Sequence, residues 1–140
     1  MLFADAVACL SLELRLPDLR IADDGTCALR VGETRLALLP HPERQGLALL
    51  AHVGNIAGEH FASRMEQLLA GNLFEDGPSS GVLGMDPSGD VYLSQHLREM
   101  AFSAPALVIV FRRFVRRAQA WQQRLASAPA APSTPVARSA

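Results

Sequence analysis

The sequence predicts an α+β domain in which helices flank an antiparallel sheet, with the element order α-β-β-β-α-β-β-α. Three observations predict this class. Three segments carry apolar residues at helical spacing, two short connections have the pattern of hairpin turns, and no fixed period repeats along the chain. The chain has 140 residues, 49% of them hydrophobic and 19% charged, which is typical of one globular domain with a single core.

The first helix is predicted at the start of the chain, because Phe3, Val7, Leu10 and Leu14 recur at spacings of three and four. Pro17 then ends the helical pattern. Leucines at every second position from 10 to 16 also alternate as in a strand. We therefore expect the helix to end near residue 12.

A three-stranded antiparallel meander is predicted next. The apolar runs 26–31 and 34–39 flank Gly32-Glu33, which places glycine at the first central position of a type II′ hairpin turn. A loop over 40–46 leads to a third run at 47–53. Short connections of this kind join neighbouring antiparallel strands.

A second amphipathic helix and a second hairpin follow. The helix stripe consists of Phe61, Met65, Leu68 and Leu69. Gly71 and Asn72 are expected to terminate this helix, since both residue types favour the left-handed conformation at a helix end. The runs 82–85 and 90–94 flank a turn with Pro87 at its first central position and Gly89 at its close.

The third helix is predicted to begin after Ser103, a good N-cap residue, with Pro105 in its first turn. Its apolar face consists of Leu107, Phe111, Val115, Ala118 and Leu125, and its polar face of Arg112, Arg116, Gln119 and Gln123. The domain is expected to span residues 1–126. Residues 127–140 are mostly Ala, Pro and Ser, and this composition predicts a disordered tail.

Charge is unevenly distributed along the chain. Residues 1–111 contain all 14 acidic residues and 7 arginines, for a charge of −7, whereas residues 112–140 contain 6 arginines and no acid. The sum is the formal net charge of −1. The chain contains no lysine, which excludes a Walker phosphate loop, a Schiff-base enzyme and a lysine general base.

Compartment signals favour the cytoplasm. Cys9 and Cys27 lie in apolar, regular segments, so we expect reduced, buried thiols rather than a disulfide. The N-terminus lacks the basic region of a signal peptide. The most apolar stretch, 104–111, is far shorter than the ~20 residues of a membrane-spanning helix.

Possible catalytic and metal-binding patterns have simpler explanations. Residues 77–81 match the G-x-S-x-G pattern of hydrolases, but they lack the strand before and the helix after, so an ordinary loop is favoured. The histidines at 41, 52, 60 and 96 have no metal-ligand spacing. Asp86 and Asp90 fit a turn better than a calcium loop, and Glu75 and Asp76 fit a solvated loop. We predict no catalytic residue, metal or cofactor.

The Arg-rich segment 111–117 supports an alternative function, in which the last helix binds an anionic lipid surface or nucleic acid. The acidic remainder of the chain would repel nucleic acid, and one Trp and one Tyr offer little stacking surface. We therefore favour arginines that keep the helix soluble or pair with acidic groups. Binding that collapses at moderate salt would distinguish the alternative.

Several stretches between residues 2 and 126 keep a recognisable order and spacing. They are Leu16-Pro17-Asp18-Leu19, Asp24-Gly25-Thr26-Cys27-Ala28-Leu29, residues 47–54, Leu68-Leu69-Ala70-Gly71-Asn72, Val82-Leu83-Gly84-Met85-Asp86, Val91-Tyr92-Leu93, and Phe111, Phe114 and Trp121. Together they resemble the Tir-chaperone family of class I type III secretion chaperones, bacterial proteins that hold secreted effectors before export. Members of that family are typically more acidic, and the Arg-rich last helix and the tail depart from the pattern.

The resemblance implies a cytoplasmic homodimer without catalytic activity, around which the N-terminal segment of an effector winds in extended form. It implies effector binding by Phe3, Val7, Leu10, Leu14, Leu29, Val31, Leu36, Leu38, Leu47 and Leu49. It implies a dimer interface formed by Met65, Leu68, Leu69, Val82, Leu83 and Met85. About half of the strand residues must face the core, because successive side chains point to opposite faces. Docking to the export ATPase is left open, and no nucleic acid or membrane partner is expected.

Overall fold

The computed structural model describes residues 2–17, 19–41, 46–74, 81–97 and 103–127. The helices are α1 (Phe3–Glu13), α2 (Phe61–Phe74) and α3 (Ala104–Ala126). The strands are β1 (Cys27–Val31), β2 (Thr34–His41), β3 (Gly46–Asn55), β4 (Val82–Met85) and β5 (Asp90–Leu97). The predicted α+β class and element order are confirmed, and β2, β3 and β5 extend beyond the predicted runs.

The five strands form one antiparallel sheet with the order β1-β2-β3-β5-β4. β1 and β4 are therefore its two edges. One face of the sheet is buried beneath α1 and α3, and burial alternates along β1, β2 and the first half of β5, as successive side chains point to opposite faces. The core of this face includes Cys27, Leu29, Leu36, Leu38, Leu47, Leu49, Val91 and Leu93, together with Leu10 of α1 and Phe111, Phe114 and Trp121 of α3.

Both predicted hairpin turns are present. Gly32 has a φ of 61° at the first central position between β1 and β2, which is the conformation that a type II′ turn requires there. In the second turn the Asp86 carboxylate accepts hydrogen bonds from the backbone N–H groups of Ser88, at 2.9 Å, and Asp90, at 3.0 Å. Asp86 therefore stabilises the turn, as expected.

α1 ends one residue later than expected, in a Schellman motif. The N–H of Leu16 donates to the carbonyl of Ser11 at 2.9 Å, and Arg15 adopts a φ of 54°. A left-handed conformation at a residue other than glycine is strained. Proline is thus not the group that ends the helix.

Gly71 and Asn72 do not terminate α2, which continues to Phe74, and this corrects the sequence-based prediction. A Cβ on Gly71 would lie 2.8 Å from Cη2 of the buried Trp121 and closer still to Cζ2, so glycine permits α2 to approach α3. The Asn72 side chain accepts a hydrogen bond from Leu83 N–H at 2.8 Å and donates to Leu83 C=O at 2.9 Å. Both residues serve tertiary contacts.

α3 begins as predicted, with the Ser103 hydroxyl accepting a hydrogen bond from Ala106 N–H. Its other end is held by Arg64 of α2, a buried arginine. The Arg64 guanidinium donates to the carbonyls of Arg124, at 2.9 Å, and Ser127. A cation on the last carbonyls of a helix is favourable, because these groups lack intrahelical partners.

The cysteine expectation is partly corrected. Cys27 is buried, whereas Cys9 is only half-buried, and both thiols are free. Burial raises the pKa of each thiol, and Glu13 raises that of Cys9 further. The expected loop at 75–80, with most of the G-x-S-x-G segment, and all but the first residue of the expected tail lie outside the described residues.

Candidate partner-binding surfaces

An apolar groove of about 1060 Å³ lies between α1 and the segment that follows it. It is lined by Ala4, Val7, Ala8, Ser11, Leu12, Arg15, Pro17, Leu19, Arg20 and Ile21, which we call the α1 groove. Leu12 is 77% exposed and Ile21 is 42% exposed. Large apolar side chains gathered in a groove mark an interaction site more often than scattered ones do.

The strained Arg15 lies at this groove. Strain that the surrounding structure retains is concentrated at functional sites. The backbone N–H of Ala22, which follows groove residue Ile21, donates to the carbonyl of Thr26, the residue before β1, at 2.7 Å. The groove therefore runs up to the beginning of the edge strand.

The edge strand β1 presents unpaired backbone groups. Val31 and Thr34 flank the two-residue turn and form a hydrogen-bonded pair, so Ala28 and Arg30 direct their N–H and C=O groups away from β2. Within the described chain these groups have no backbone partner. An extended peptide could add a strand here, since β-augmentation requires a free row of this kind.

The opposite edge is partly closed by side chains. Asn72 satisfies both backbone groups of Leu83, and Arg117 donates to the carbonyl of Gly81 at 3.0 Å. These contacts leave less of β4 available for pairing than of β1.

The residues predicted to bind an effector lie mostly in the core. Val7, Leu10, Leu29, Leu36, Leu38, Leu47 and Leu49 are buried, while Phe3, Leu14 and Val31 are partly buried against the same cluster. A partner cannot reach the buried side chains while the protomer is folded. The physical reason is alternation, because every strand residue in the set points to the face covered by α1 and α3. Only Val7 also lines the α1 groove.

Sequence reasoning missed most of the groove because it followed the core stripe of α1. Leu12 lies outside that stripe and lines the groove. The alternation of leucines from position 10 to position 16 was the feature of the sequence that could have indicated its role. Ala4 and Ala8, one turn apart, also line the groove. Leu19 and Ile21 carried no periodic signal, since they lie in an irregular segment.

A second set of exposed apolar side chains is spread over α2 and β4, with Val82 and Met85 on opposite faces of the strand. Its members are Phe61, Leu69, Leu73, Val82 and Met85, which are between 38% and 71% exposed, and we call it the α2–β4 patch. Three of the residues predicted for a dimer interface belong to it. Of the other three, Met65 is half-buried, and Leu68 and Leu83 are buried within the protomer.

The outer face of the sheet carries a polar cluster beside a cavity of about 450 Å³. His52 Nε2 lies 2.9 Å from a carboxylate oxygen of Asp90, and its ring packs edge-on against Tyr92. Hydrogen bonds from His52, Asn55 and Ser88 lower the pKa of Asp90. The cluster links β3 to the start of β5 and so stabilises the sheet.

The arginines of α3 divide into two groups. Arg117 contacts Gly81, and the guanidinium of Arg124 lies 4.6 Å from the Trp121 ring centroid, so both take part in the fold. Arg112, Arg113 and Arg116 are exposed.

The described part of the chain lacks a candidate metal site and a candidate membrane-spanning helix. No group of three or more His, Cys, Asp or Glu side chains there could hold a metal ion. No helix in the same part of the chain is long and apolar enough to cross a membrane.

Comparison with protein families decides the class. Residues 6–122 match the Tir chaperone protein (CesT) family. The chain belongs to this family. It is thus a chaperone of the class I type III secretion group, and the resemblance inferred from the motifs is confirmed.

Solved structures share the fold of this Tir-family chaperone. The ExsC–ExsE complex contains a chain with a TM-score of 0.72 and 23% identity, covering 94% of this chain and 99% of the other. A chain of the HopA1–SchA chaperone–effector complex has a TM-score of 0.69 and 22% identity, with coverage of 86% and 93%. The Yersinia pestis type III secretion chaperone SycH, in complex with a fragment of YscM2, has a TM-score of 0.64 and 20% identity, with coverage of 84% and 97%. No individual curated protein sequence gives a significant match.

Proposed function

We propose that this protein binds the N-terminal segment of a secreted effector in extended form in the cytoplasm and keeps it competent for export. The observation that carries the proposal is the apolar α1 groove, whose lining segment leads into β1, an edge strand with outward backbone groups that no described residue pairs. Family membership supports it, as do the structural neighbours that are complexes of chaperones with effectors. The function needs no reaction, cofactor, nucleic acid or membrane.

Two kinds of contact would hold the effector segment. The outward backbone groups of Ala28 and Arg30 would pair with an added strand, and such pairing accepts many sequences. Apolar side chains of the effector would enter the α1 groove beside Leu12 and Ile21. Because alternate residues of a strand point the same way, every second effector side chain would be selected for apolar character.

Effector binding is tested by co-expressing the tagged chain with its neighbouring genes, washing at high salt, and identifying the bound proteins by mass spectrometry. Leu12→Asp should abolish capture of the effector, because it places a charge in the groove. Ile109→Asp is the matched control, since Ile109 is 58% exposed on α3 and lies outside the groove. Equal capture by both variants would refute the groove assignment.

The strand contact has a separate test. Ala28→Pro removes one outward N–H without removing a β1–β2 hydrogen bond, and proline is tolerated on edge strands. We expect weaker effector binding with an unchanged circular dichroism spectrum, whereas Ala28→Val should bind as the wild type does. Unchanged binding by the proline variant would eliminate strand addition at β1.

We also propose that two protomers associate through the α2–β4 patch, so that one effector segment is held by a dimer. Five exposed apolar side chains on adjoining elements favour burial against a second copy. Leu69→Asp should convert the dimer to a folded monomer, measured by light scattering. Leu83→Asp is unsuitable for this test, because Leu83 is buried and the charge would unfold the protomer. A dimeric Leu69→Asp variant would place the interface elsewhere.

A further inference from the structure

We propose that the exposed side of α3 binds an acidic polypeptide segment. This surface consists of Ile109, Arg112, Arg113 and Arg116, and we call it the α3 arginine face. The four residues are separate from the α1 groove and the α2–β4 patch, so the partner is additional to the effector and to a second copy.

The face is a single continuous surface. With 3.6 residues per turn, Ile109 lies opposite the centre of the buried stripe of α3, and the three arginines lie within about 60° of it around the helix. Arg112 and Arg116 are one turn apart, about 6 Å along the axis. The three arginines therefore follow Ile109, which is 58% exposed, along the same side of the helix, within about 11 Å of it along the axis.

The three arginines are available to a partner. They form no ion pair with any of the described residues, whereas Arg117 and Arg124 contact Gly81 and Trp121. α3 itself contains no acidic residue, so no neighbour along the helix neutralises them.

The chemistry points to carboxylates on a short polypeptide. Guanidinium groups bind carboxylate and phosphate oxygens in bidentate geometry, so arginine alone does not distinguish the two anions. The charge of −7 on residues 1–111 favours carboxylates over phosphates as the ligand. A long duplex or a bilayer would bring many phosphates close to that acidic part of the chain. A short acidic segment contacts the face alone. Ile109 adds an apolar contact that a polypeptide with a central Leu or Ile can match.

The test uses a fluorescein-labelled synthetic peptide of glutamates around a central leucine, with binding followed by fluorescence anisotropy. The triple variant Arg112→Gln, Arg113→Gln, Arg116→Gln should raise the Kd roughly tenfold, from exposed ion pairs each contributing a fraction of a kcal/mol. The control removes the same charge from arginines outside α3, through Arg35→Gln, Arg44→Gln and Arg98→Gln, and should leave the Kd within about twofold. Ile109→Ser should weaken binding at both low and high salt.

Three results would overturn the proposal. The first is no binding of the peptide by the wild type, and the second is an equal loss in the two triple variants, which would indicate nonspecific charge attraction. The third is tighter binding of phosphatidylglycerol vesicles or duplex DNA through the same arginines, which would assign the face to phosphate. Effector capture by the α3 triple variant is measured in parallel and should be unchanged, so failure here is distinguishable from failure of the chaperone function.

Discussion

Because Gly71 lies against Trp121, replacing it with alanine would have two opposite effects on the free energy of unfolding, one from helix propensity and one from packing. Gly71→Ala replaces a glycine inside α2, which by helix propensity alone would stabilise the protein by about 1 kcal/mol. The new methyl group would lie 2.8 Å from Cη2 of Trp121, closer still to Cζ2, and 3.4 Å from Cδ1 of Leu83. Trp121 is 1% exposed and Leu83 is 5% exposed, so neither can move aside into solvent.

The packing term should exceed the propensity term. Overpacking of a dense core costs about 1–3 kcal/mol, and this contact is far inside normal van der Waals distance, so the upper part of that range applies. Subtracting about 1 kcal/mol of propensity leaves a net loss of about 1–2 kcal/mol. For a domain of this size that corresponds to a fall in Tm of roughly 3–8 °C.

Chemical and thermal unfolding measure the effect at one protein concentration, because association would make Tm depend on concentration. Gly84→Ala is the control. A Cβ there would meet no atom within 4 Å, so its stability should equal or slightly exceed that of the wild type. Trp121→Phe removes the ring atoms that clash, so Gly71→Ala should be much less harmful in that background, with a coupling energy above about 1 kcal/mol. A fully stable Gly71→Ala variant, or additivity with Trp121→Phe, would refute this account.

Four further predictions follow from the described contacts. Asn72→Ala should lower the free energy of unfolding by about 1–3 kcal/mol and raise the hydrogen-exchange rate of the Leu83 amide, and unchanged exchange would contradict the edge-closing role. Arg64→Met should lower the free energy of unfolding by about 1.5–3 kcal/mol and loosen the last turn of α3, which would be measured as faster amide exchange in that turn. Arg15→Gly should raise stability by about 0.5–1 kcal/mol, since glycine adopts positive φ without strain, yet weaken effector binding at the α1 groove; a fall in stability would show that Arg15 is not strained. The pKa of Asp90 is lowered in the folded state, so its stabilising contribution is present above its unfolded pKa and is lost as pH falls through the folded pKa; Asp90→Asn should therefore be less stable than the wild type at neutral pH, with the difference vanishing in acid.

Much of the fold could be predicted because local signals and tertiary demands agree. Gly32 is needed for a positive φ in its turn, and Ser103 caps α3, so residue type and position carry the information directly. Apolar spacing likewise located all three helices. These features depend on neighbours within a few positions along the chain.

The errors arise where a residue serves a distant contact. Gly71 and Asn72 have the composition of a helix end, but Trp121 and Leu83, which they contact, lie 50 and 11 positions away. Most residues of the α1 groove were not predicted, because the apolar stripe of a helix identifies its buried face, whereas the groove lies along the flank beside that face. Leu12, outside the stripe and exposed, was the residue to follow.

The two edges of the sheet differ in how many of their outward backbone groups have hydrogen-bond partners. This difference affects whether a chaperone with a free edge strand pairs with copies of itself. At β4 the Asn72 amide occupies both backbone groups of Leu83, and Arg117 occupies the carbonyl of Gly81. At β1 the outward groups of Ala28 and Arg30 have no backbone partner among the described residues. An edge-to-edge array of protomers needs two open edges on each copy, whereas the addition of one effector strand needs one. A sheet that is partly closed at β4 and open at β1 therefore permits strand addition while limiting edge-to-edge arrays, which is consistent with the proposed association of protomers through the side chains of the α2–β4 patch.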